Sequence, residues 1–341
     1  MPLGGCTYED SHYAAVLDEM TQPLPAKPEI RNLVRYATLA ANGHNTQPWQ
    51  FRAHRGDIVV LPDLARRTPV VDPDDHHLYA SLGCAAENLS LAARARGMAG
   101  EVRFTSAGQG RVSILPAVRD ESSLFAAIPK RQCSRVIYDR RSLPADVMRR
   151  LSAAAASYGV EGIFVTDAKQ MEAILNLVID GNSRQVDDPA FVAELRDWIR
   201  FNPDQAAATR DGLYAASSGN PTMPTWLGLR LFDFFFDKDA ENDNYAKQVR
   251  SSAGIVIFVA AQNQKAGWFD AGRAYQRFAL QATVDGLKHA FLNQPVEVPA
   301  VRRALQSLLG IGDRRPNLVV RYGYGPVMPK SLRRSVDAVI V

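Results

Sequence analysis

Two arginines enclose a thiol and a hydroxyl in the segment Arg131-Gln132-Cys133-Ser134-Arg135. Guanidinium groups four residues apart can hold a phosphate, because their planar donors match its oxygens and the small side chains between them add donors. The segment follows a linker that ends in proline and precedes a predicted helix. Considered alone, it fits a solvated basic patch equally well, so it is a candidate phosphate site only in company.

A polar turn, Ala41-Asn42-Gly43-His44-Asn45-Thr46-Gln47-Pro48-Trp49, is the second candidate. Asn42 and Gly43 favour the end of the preceding helix, and Pro48 forbids its continuation. Backbone and amide donors at such a junction, including Asn45 and Gln47, can face a planar ligand rich in heteroatoms. The alternative is a capped turn around a core Trp49.

Two further segments bear polar groups that could join such a site. Lys330 and Arg333 follow the last predicted strand in an extended tail, where both could reach one phosphate; the alternative is a solvated tail. Asn293 and Gln294 stand where the predicted helix Trp268–Leu292 stops, and could hydrogen-bond a ring edge. Simple helix termination before Pro295 is the alternative.

Several kinds of catalytic site are excluded. No GxGxxG, GxxxxGK[ST], GxSxG or HExxH motif is present, which leaves no support for a Rossmann, P-loop, hydrolase or zincin site. His44 has no carboxylate partner by spacing, so no catalytic side chain is expected. Three cysteines are too scattered for a disulfide framework, and His76 and His77 would point to different faces of a helix, so no metal site is expected.

The charge balance argues against nucleic acid as a partner. The 341 residues include 40 basic and 36 acidic side chains, a formal net charge of +4, and the basic ones cluster locally instead of forming a stripe. No apolar run approaches the ~18 residues of a membrane span. The N-terminus lacks a signal peptide, which predicts a cytoplasmic protein. Leu3-Gly4-Gly5-Cys6 resembles a lipoprotein cleavage box, so export is expected if a leader is missing.

Apolar periodicity and turn residues predict alternating helices and strands. The predicted helices are Tyr13–Met20, Glu29–Ala41, Leu78–Gly97, Ala145–Ser157, Ala168–Asn182, Phe191–Phe201, Trp226–Phe236, Trp268–Leu292 and Pro299–Leu309. The predicted strands are Trp49–Leu61, Glu101–Phe104, Val112–Pro116, Gly162–Val165, Ile255–Ala260 and Leu318–Tyr324.

The helical segments 81–97 and 270–286 resemble each other without a gap. At a constant offset, Gly83, Ala85, Leu91, Ala93 and Gly97 correspond to Gly272, Ala274, Leu280, Ala282 and Gly286. Small residues at these positions would let one helix pack closely on its twin. Two Ala-rich helices can also agree by chance, but the constant offset favours an internal duplication.

Taken together, these segments resemble the nitroreductase superfamily of FMN proteins, over about residues 28–338. The similarity is strongest to its Acg-like branch, in which two nitroreductase units are fused. Lys130 to Arg135 is similar to the family's phosphate motif, with Cys133 where serine is usual. Residues 41–49 are similar to its Pro-Ser-x-x-Asn-x-Gln-Pro-Trp turn, with Ala41 and Asn42 replacing proline and serine.

The resemblance implies the binding residues and the fold. FMN would be bound by Asn42, Asn45, Gln47, Arg131, Cys133, Arg135, Asn293, Gln294, Lys330 and, less closely matched, Arg333. The expected fold is α+β, a three-layer α/β/α sandwich duplicated in one chain. The expected parts are an N-terminal extension (1–27), a first unit (28–125) and a second unit (126–341) with a helical lid at about 190–245. Since the turn occurs only in the first unit and the phosphate motif only in the second, we expect one FMN per chain in a monomer that acts as a pseudo-dimer.

The resemblance also implies the chemistry. NAD(P)H would reduce the flavin at N5, and a small-molecule acceptor such as a nitroaromatic or a quinone would reoxidise it in a ping-pong cycle. The alternative is a protein that stores or sequesters FMN beneath a closed lid, which would keep nicotinamide out. A flavin-free structural protein is the third possibility.

Overall fold

The computed structural model describes residues 11–341, apart from the side chains of residues 11 and 233–235. The helices are α1 Ser11–Thr21, α2 Ile30–Thr38, α3 His76–Arg94, α4 Ser123–Ala127, α5 Ala145–Ala155, α6 Ala168–Val186, α7 Pro189–Asp197, α8 Pro203–Thr209, α9 Thr225–Phe235, α10 Lys238–Arg250, α11 Lys265–Val284, α12 Gln294–Glu297 and α13 Pro299–Leu309. The strands are β1 Trp49–His54, β2 Asp57–Pro62, β3 Val102–Phe104, β4 Gly110–Ser113, β5 Val160–Val165, β6 Ile199–Arg200, β7 Leu213–Tyr214, β8 Gly254–Ala260, β9 Lys288–Phe291 and β10 Pro316–Gly323. The segment Leu3 to Cys6 lies outside the described residues.

Two four-stranded antiparallel sheets form the framework. The first has the order β1-β2-β4-β3 and the second β5-β8-β10-β9. β8 and β10 are buried along their whole length, as expected of central strands with continuous apolar runs. The predicted mixed helix-and-sheet fold is confirmed.

The second sheet is covered on both faces. Alternate residues of a strand point to opposite faces, and β8 divides accordingly. Val256 and Phe258 join the main core with α11, whereas Ile255 and Ile257 join a second core with residues of α6, α10 and α13. Around this sheet the predicted three-layer α/β/α arrangement is therefore present.

Helices α3 and α11 pack along each other between the two sheets. A Cβ on Gly83 would lie 1.9 Å from the carbonyl oxygen of Phe269, and a Cβ on Gly272 would lie 1.8 Å from that of Ala80. At the repeat offset, Gly83 corresponds to Gly272 and Ala80 to Phe269, so the two contacts are exchanged copies. Such reciprocity is the pattern of a two-fold interface, here within one chain.

A second pair of exchanged contacts lies along the same helices. Arg277 Nη1 donates to Glu87 Oε1 at 2.8 Å, and Gln276 Nε2 donates to Asn88 Oδ1 at 2.7 Å. At the repeat offset, Glu87 corresponds to Gln276 and Asn88 to Arg277, so the two hydrogen bonds join equivalent pairs of positions. The helix repeat predicted from the sequence thus corresponds to a symmetric packing arrangement. The unit boundaries at 28–125 and 126–341 stay a prediction.

The single strand predicted at Trp49–Leu61 is wrong, because the chain folds there into the β1–β2 hairpin. Arg55 and Gly56 both have positive φ, 45° and 80°. Positive φ at both central residues is the mark of a type I′ hairpin turn. Arg-Gly is a less familiar signal for this turn than Asn-Gly, which explains the missed reversal.

The predicted end of the long helix at Leu292 is also wrong. α11 ends at Val284, Gly286 has φ +74°, and β9 follows before Asn293. Gly97 after α3 has the same φ of +74°. Asn293 and Gln294 therefore follow a strand and open the short helix α12, not the end of α11.

The C-terminal tail runs from the second sheet to the first. The backbone N–H of Phe51 donates to Val339 at 2.7 Å, and that of Val341 donates to Phe51 at 2.9 Å. The tail carries Lys330 and Arg333 towards the turn after α2. Of the helices in the described part of the chain, none has the length and apolar character needed to cross a bilayer.

Candidate functional site

Two adjoining cavities lie beside the turn at residues 41–45. The larger has a volume of about 870 Å³ and the smaller about 80 Å³. They share the lining residues Ala41, Asn42, Arg135, Leu213 and Phe291. The larger volume is in the range of pockets for drug-sized or cofactor-sized ligands, and the smaller suits a single compact group.

The smaller cavity is a cationic site. Four basic side chains line it, Arg131, Arg135, Lys330 and Arg333, and none of its described lining residues is acidic. Arg131 is only 6% exposed, and its Nε has no acceptor within residues 11–341. A buried donor without a partner is costly, and an anion in this cavity would satisfy it. The two arginines of segment 131–135 and the two basic residues of the C-terminal tail thus line the same cavity.

The charges in this cavity repel one another. Burial, together with the charges of Arg131 and Arg333, lowers the pKa of Lys330 to about 8. Its Nζ donates to the carbonyl of Pro129. Burial and Arg131 also lower the pKa of Arg333, although five oxygen acceptors, among them those of Thr38, Ala40 and Asn45, surround its guanidinium group. An anion would relieve this repulsion.

Cys133 lines the smaller cavity and is held by two neighbours. Its Sγ lies 4.0 Å from Arg131 Nη1 and 3.7 Å from Tyr275 Oη. Tyr275 Oη in turn lies 3.2 Å from His289 Nδ1. Burial lowers the pKa of His289 to about 3, so this imidazole is neutral at pH 7. The row Cys133–Tyr275–His289 fixes the thiol at the cavity wall.

Arg135 stands at the junction of the two cavities. Its Nη1 donates to Ser218 Oγ at 3.1 Å, and the rest of the guanidinium group is available to both cavities. His44 lines the larger cavity nearby. Burial and the charge of Arg135 lower the pKa of His44 to about 4. The imidazole is therefore a neutral hydrogen-bonding group at pH 7.

Asn42, Asn293 and Gln294 all line the larger cavity. Asn42 Oδ1 accepts the backbone N–H of Gln47 at 2.8 Å, and Asn293 Oδ1 accepts that of Val319 at 3.0 Å. Gln294 Nε2 donates to the hydroxyl of Tyr245, and its Oε1 has no donor within the described residues. Asn42 Nδ2 makes one long hydrogen bond, to the carbonyl of Ala40 at 3.4 Å, and keeps its second N–H for a ligand. Asn293 keeps its Nδ2 group, and Gln294 keeps its carbonyl oxygen.

The other two predicted residues of the turn are occupied by the protein itself. Asn45 Nδ2 donates to Gly212 and Leu332 carbonyls at 3.0 and 3.1 Å, and its Oδ1 accepts from Arg333. Gln47 Nε2 donates to Arg210 O at 2.8 Å, and its Oε1 accepts from the backbone of Arg334 at 2.8 Å. Asn45 touches the smaller cavity with its side chain saturated. Gln47 lines neither cavity.

These contacts attach the insert at about 190–245 to the rest of the chain. Asp211 of the insert pairs with Arg66 outside it, and within the insert it also pairs with Arg200 Nη2 at 2.7 Å. Glu194 accepts the backbone N–H groups of Val70 and Val71 at 2.9 and 3.0 Å. Side chains of the insert line the larger cavity: Phe191, Leu195, Phe201, Met223, Leu231, Phe232 and Phe236. The insert is thus tied to residues 66–71, and the side chains with which it lines the cavity are largely apolar. Its role as a lid stays a prediction.

Among the bulky aromatic residues at positions 198, 226 and 234–236 of the insert, Phe236 lines the cavity. Trp226 is 64% exposed and points away. Trp198 instead lies under the guanidinium groups of Arg66 and Arg200, at 5.3 and 5.9 Å from its ring centroid. The side chains of Phe234 and Phe235 lie outside the described residues.

Acidic and amide groups at one end of the larger cavity were missed by sequence reasoning. Its lining includes Glu241, Tyr245, Glu297, His77 and Gln185. Burial raises the pKa of Glu297, and the nearby His77 partly offsets this rise. Burial also raises the pKa of Glu241, and the charge of Arg135 partly offsets that rise. The spacing of Glu241 and Tyr245 places them on one helix face, but nothing in the sequence says what that face meets.

One group of three side chains has the composition of a metal site, Asp72, His76 and His77, with ligand atoms within 4.8 Å of one another. Its hydrogen bonds point to another role. Asn317 Oδ1 accepts the N–H of Ala260, so its Nδ2 donates to His76 Nε2 at 3.0 Å. Nδ1 of neutral His76 then carries the proton, and neither ring nitrogen is free for a cation. Asp72 accepts the N–H groups of His77 and Leu78 at 3.0 Å, which caps α3.

Comparison with known proteins finds sequence relatives that are named as NAD(P)H nitroreductases. No family model matches. A Mycobacterium tuberculosis strain H37Rv protein, provisionally named NAD(P)H nitroreductase Rv3131, is 25% identical over 336 residues, which is 94% of this chain and 93% of that protein. The chain is related to the nitroreductase superfamily. The resemblance found in the sequence is thereby confirmed.

A second relative agrees with the Acg-like branch. It is a protein of the same strain, provisionally named NAD(P)H nitroreductase acg, 23% identical over 331 residues, 91% of this chain and 94% of that protein. Among solved structures, the FMN-dependent nitroreductase NfnB from Mycobacterium smegmatis, in complex with NADPH, aligns at 15% identity and a TM-score of 0.39. The alignment covers 60% of this chain and 87% of the NfnB chain. A likeness of this size says nothing more about this chain.

Proposed function

We propose that the chain is an FMN-binding oxidoreductase that passes electrons from NAD(P)H to an electron-poor acceptor such as a nitroaromatic or a quinone. The observation that carries the proposal is the smaller cavity. Among the residues that the structure describes, four basic side chains and no carboxylate line it, and it adjoins a cavity large enough for a planar cofactor. The full-length relatives named as NAD(P)H nitroreductases support the same chemistry.

The residues present fit FMN. Its phosphate would occupy the smaller cavity, where Arg131, Lys330 and Arg135 supply charge and Arg131 Nε supplies the unpaired donor. Its ring would extend into the larger cavity past Asn42 and towards Asn293. Bound there, the flavin would supply hydride transfer, so no side chain needs to act as a nucleophile.

In this proposal the chain's own residues bind, orient and exclude water. Arg333 holds the turn after α2 through Thr38 and Ala40, which fixes the wall shared by both cavities. Asn45 and Gln47 tie the insert and the tail to this turn rather than bind the ring. The apolar insert covers the larger cavity. We further propose that one chain forms one such site, as a pseudo-dimeric monomer.

Replacing Arg131 tests the phosphate site. A charge-assisted hydrogen bond contributes about 1.5–3 kcal/mol, so Arg131→Ala should weaken FMN binding roughly 10- to 100-fold, measured by titration of flavin-free protein. Riboflavin lacks the phosphate, and its affinity should fall much less. Arg149→Ala, which removes an exposed arginine of α5, is the matched control. Equal FMN affinity in Arg131→Ala and wild type would place the phosphate elsewhere.

A second candidate function is FMN storage. The observation in its favour is the tied, apolar cover over the larger cavity. Anaerobic mixing with NADPH separates the two functions. An oxidoreductase should lose its flavin colour at once, with excess acceptor restoring it. Colour that persists with NADPH and NADH, and bleaches only with dithionite, would support storage instead.

A further inference from the structure

The larger cavity, unlike the cationic smaller one, is lined by several hydrogen-bond acceptors. Glu241, Glu297, Asn182 and Gln185 line it beside apolar side chains of the insert. The smaller cavity has only basic charges among its described charged lining residues. The larger cavity is therefore lined by acidic groups as well as by Arg135, whereas the charged residues that line the smaller cavity within the described chain are all basic.

Two acceptors that line the larger cavity, on Glu241 and Gln294, have no donor within the described part of the chain. No hydrogen bond or ion pair within residues 11–341 involves the carboxylate of Glu241, whose only opposing charge is Arg135 in the same cavity. Glu297, in contrast, accepts from Gln185 at 2.7 Å and lies 3.4 Å from His77 Nε2. Gln294 is 9% exposed, and its Oε1 accepts no hydrogen bond. Partly buried acceptors without donors cost free energy unless a ligand supplies the donor.

The unpaired acceptors lie close together. Glu241 and Tyr245 are four residues apart on the same face of α10, and burial together with the charge of Glu241 raises the pKa of Tyr245 to about 12. Gln294 Nε2 donates to Tyr245 Oη. Glu241, Tyr245 and Gln294 therefore form one polar corner. Phe232 and Phe236, stacked with centroids 4.6 Å apart, line the same cavity.

We infer that this corner binds an aromatic acceptor that carries an ammonium or amine group. The inference rests on the proposed function, because it names the class of substrate for that site. Glu241 pairs with the cationic nitrogen, Gln294 Oε1 accepts a second N–H, and the apolar insert contacts the ring. A carboxylate in this position disfavours an anionic acceptor by repulsion.

The test compares two ligands that differ in one group, 4-nitrobenzylamine, which is a cation at pH 7, and 4-nitrobenzyl alcohol, which is neutral. Their affinities for wild type, Glu241→Gln and Asp243→Asn are measured by calorimetry. Asp243 is exposed on the same helix, so its replacement removes an equal charge outside the cavity. Wild type and Asp243→Asn should prefer the amine by about tenfold, and Glu241→Gln should lose this preference.

Equal affinities for the two ligands in wild type, or a preference that survives in Glu241→Gln, would overturn the inference. The titrations are run on both FMN-loaded and flavin-free protein, with flavin absorbance recorded for every sample. Wild type that does not hold FMN contradicts the proposed function, whereas flavin-loaded protein without amine preference contradicts only the assignment of Glu241.

Discussion

Lys330 connects the charge of the smaller cavity to a measurable property. Burial and the neighbouring arginines lower its pKa to about 8 from the 10.5 of a free lysine. The charged form is thus disfavoured in the folded protein, and about half of the amine is deprotonated at pH 8. A phosphate dianion favours the charged form, so binding should be accompanied by proton uptake above this pH.

We therefore expect FMN affinity to fall as the pH rises from 7 to 9.5. The flavin phosphate remains a dianion over this range, since its second pKa is about 6, and so the change belongs to the protein. Titrations at pH 7, 8 and 9.5 measure it, with riboflavin as the control ligand. Lys330→Met should bind FMN more weakly at pH 7 and show a smaller pH dependence. Identical pH profiles for Lys330→Met and wild type would remove Lys330 from the phosphate site.

Residue types, together with the family resemblance, were enough to select the four basic side chains that line the smaller cavity. Arg131, Arg135, Lys330 and Arg333 meet at one cavity, as their type and the family resemblance suggested. Gln47 differs, because its side chain already donates to the carbonyl of Arg210 and accepts from the backbone N–H of Arg334. A polar residue in a motif can orient the elements around a site without reaching the ligand. That distinction depends on distant backbone atoms that a sequence pattern does not identify.

At the scale of elements, the close approach of α3 and α11 decides where both units lie. Gly83 and Gly272 face the partner helix with no room for a methyl group. Replacing either by alanine should force the helices apart, and overpacking of this kind costs about 1–3 kcal/mol or more. Chemical denaturation should show a reduced midpoint for Gly83→Ala and Gly272→Ala. Gly43→Ala is the control, since a Cβ there meets nothing within 4 Å. Similar stabilities for all three variants would contradict the packing.

Most helices and strands followed from apolar periodicity, and the misses have physical causes. The hairpin at Arg55-Gly56 depends on two positive φ angles, which hydrophobic alternation does not reveal. The end of α11 at Val284 was recognisable in principle. Gly286 corresponds to Gly97, at which the predicted helix Leu78–Gly97 ends, shortly after the end of α3 at Arg94. Both glycines have φ +74°. The insert was harder, because its short strands pair only through tertiary contacts, as between Ile199 and Leu213.

At the scale of the whole molecule, the exchanged contacts of α3 and α11 give one chain the internal symmetry of a dimer. The functional groups do not follow that symmetry. The polar turn is formed by residues 41–49. The basic side chains come from the segment 131–135 and from residues 330–333 of the C-terminal tail. The repeat was visible in the sequence through Gly83 and Gly272. The sequence did not show that this packing brings the polar turn and the basic segments to the same pair of cavities; that required the three-dimensional structure.

The central claim is that a single chain completes a single flavin site. Native mass spectrometry of FMN-loaded protein, with flavin absorbance measured on the same sample, tests it most directly. The account predicts a monomer that carries one FMN. A species with two FMN per chain, one FMN shared between two chains, or a chain that takes up no FMN at all would contradict it.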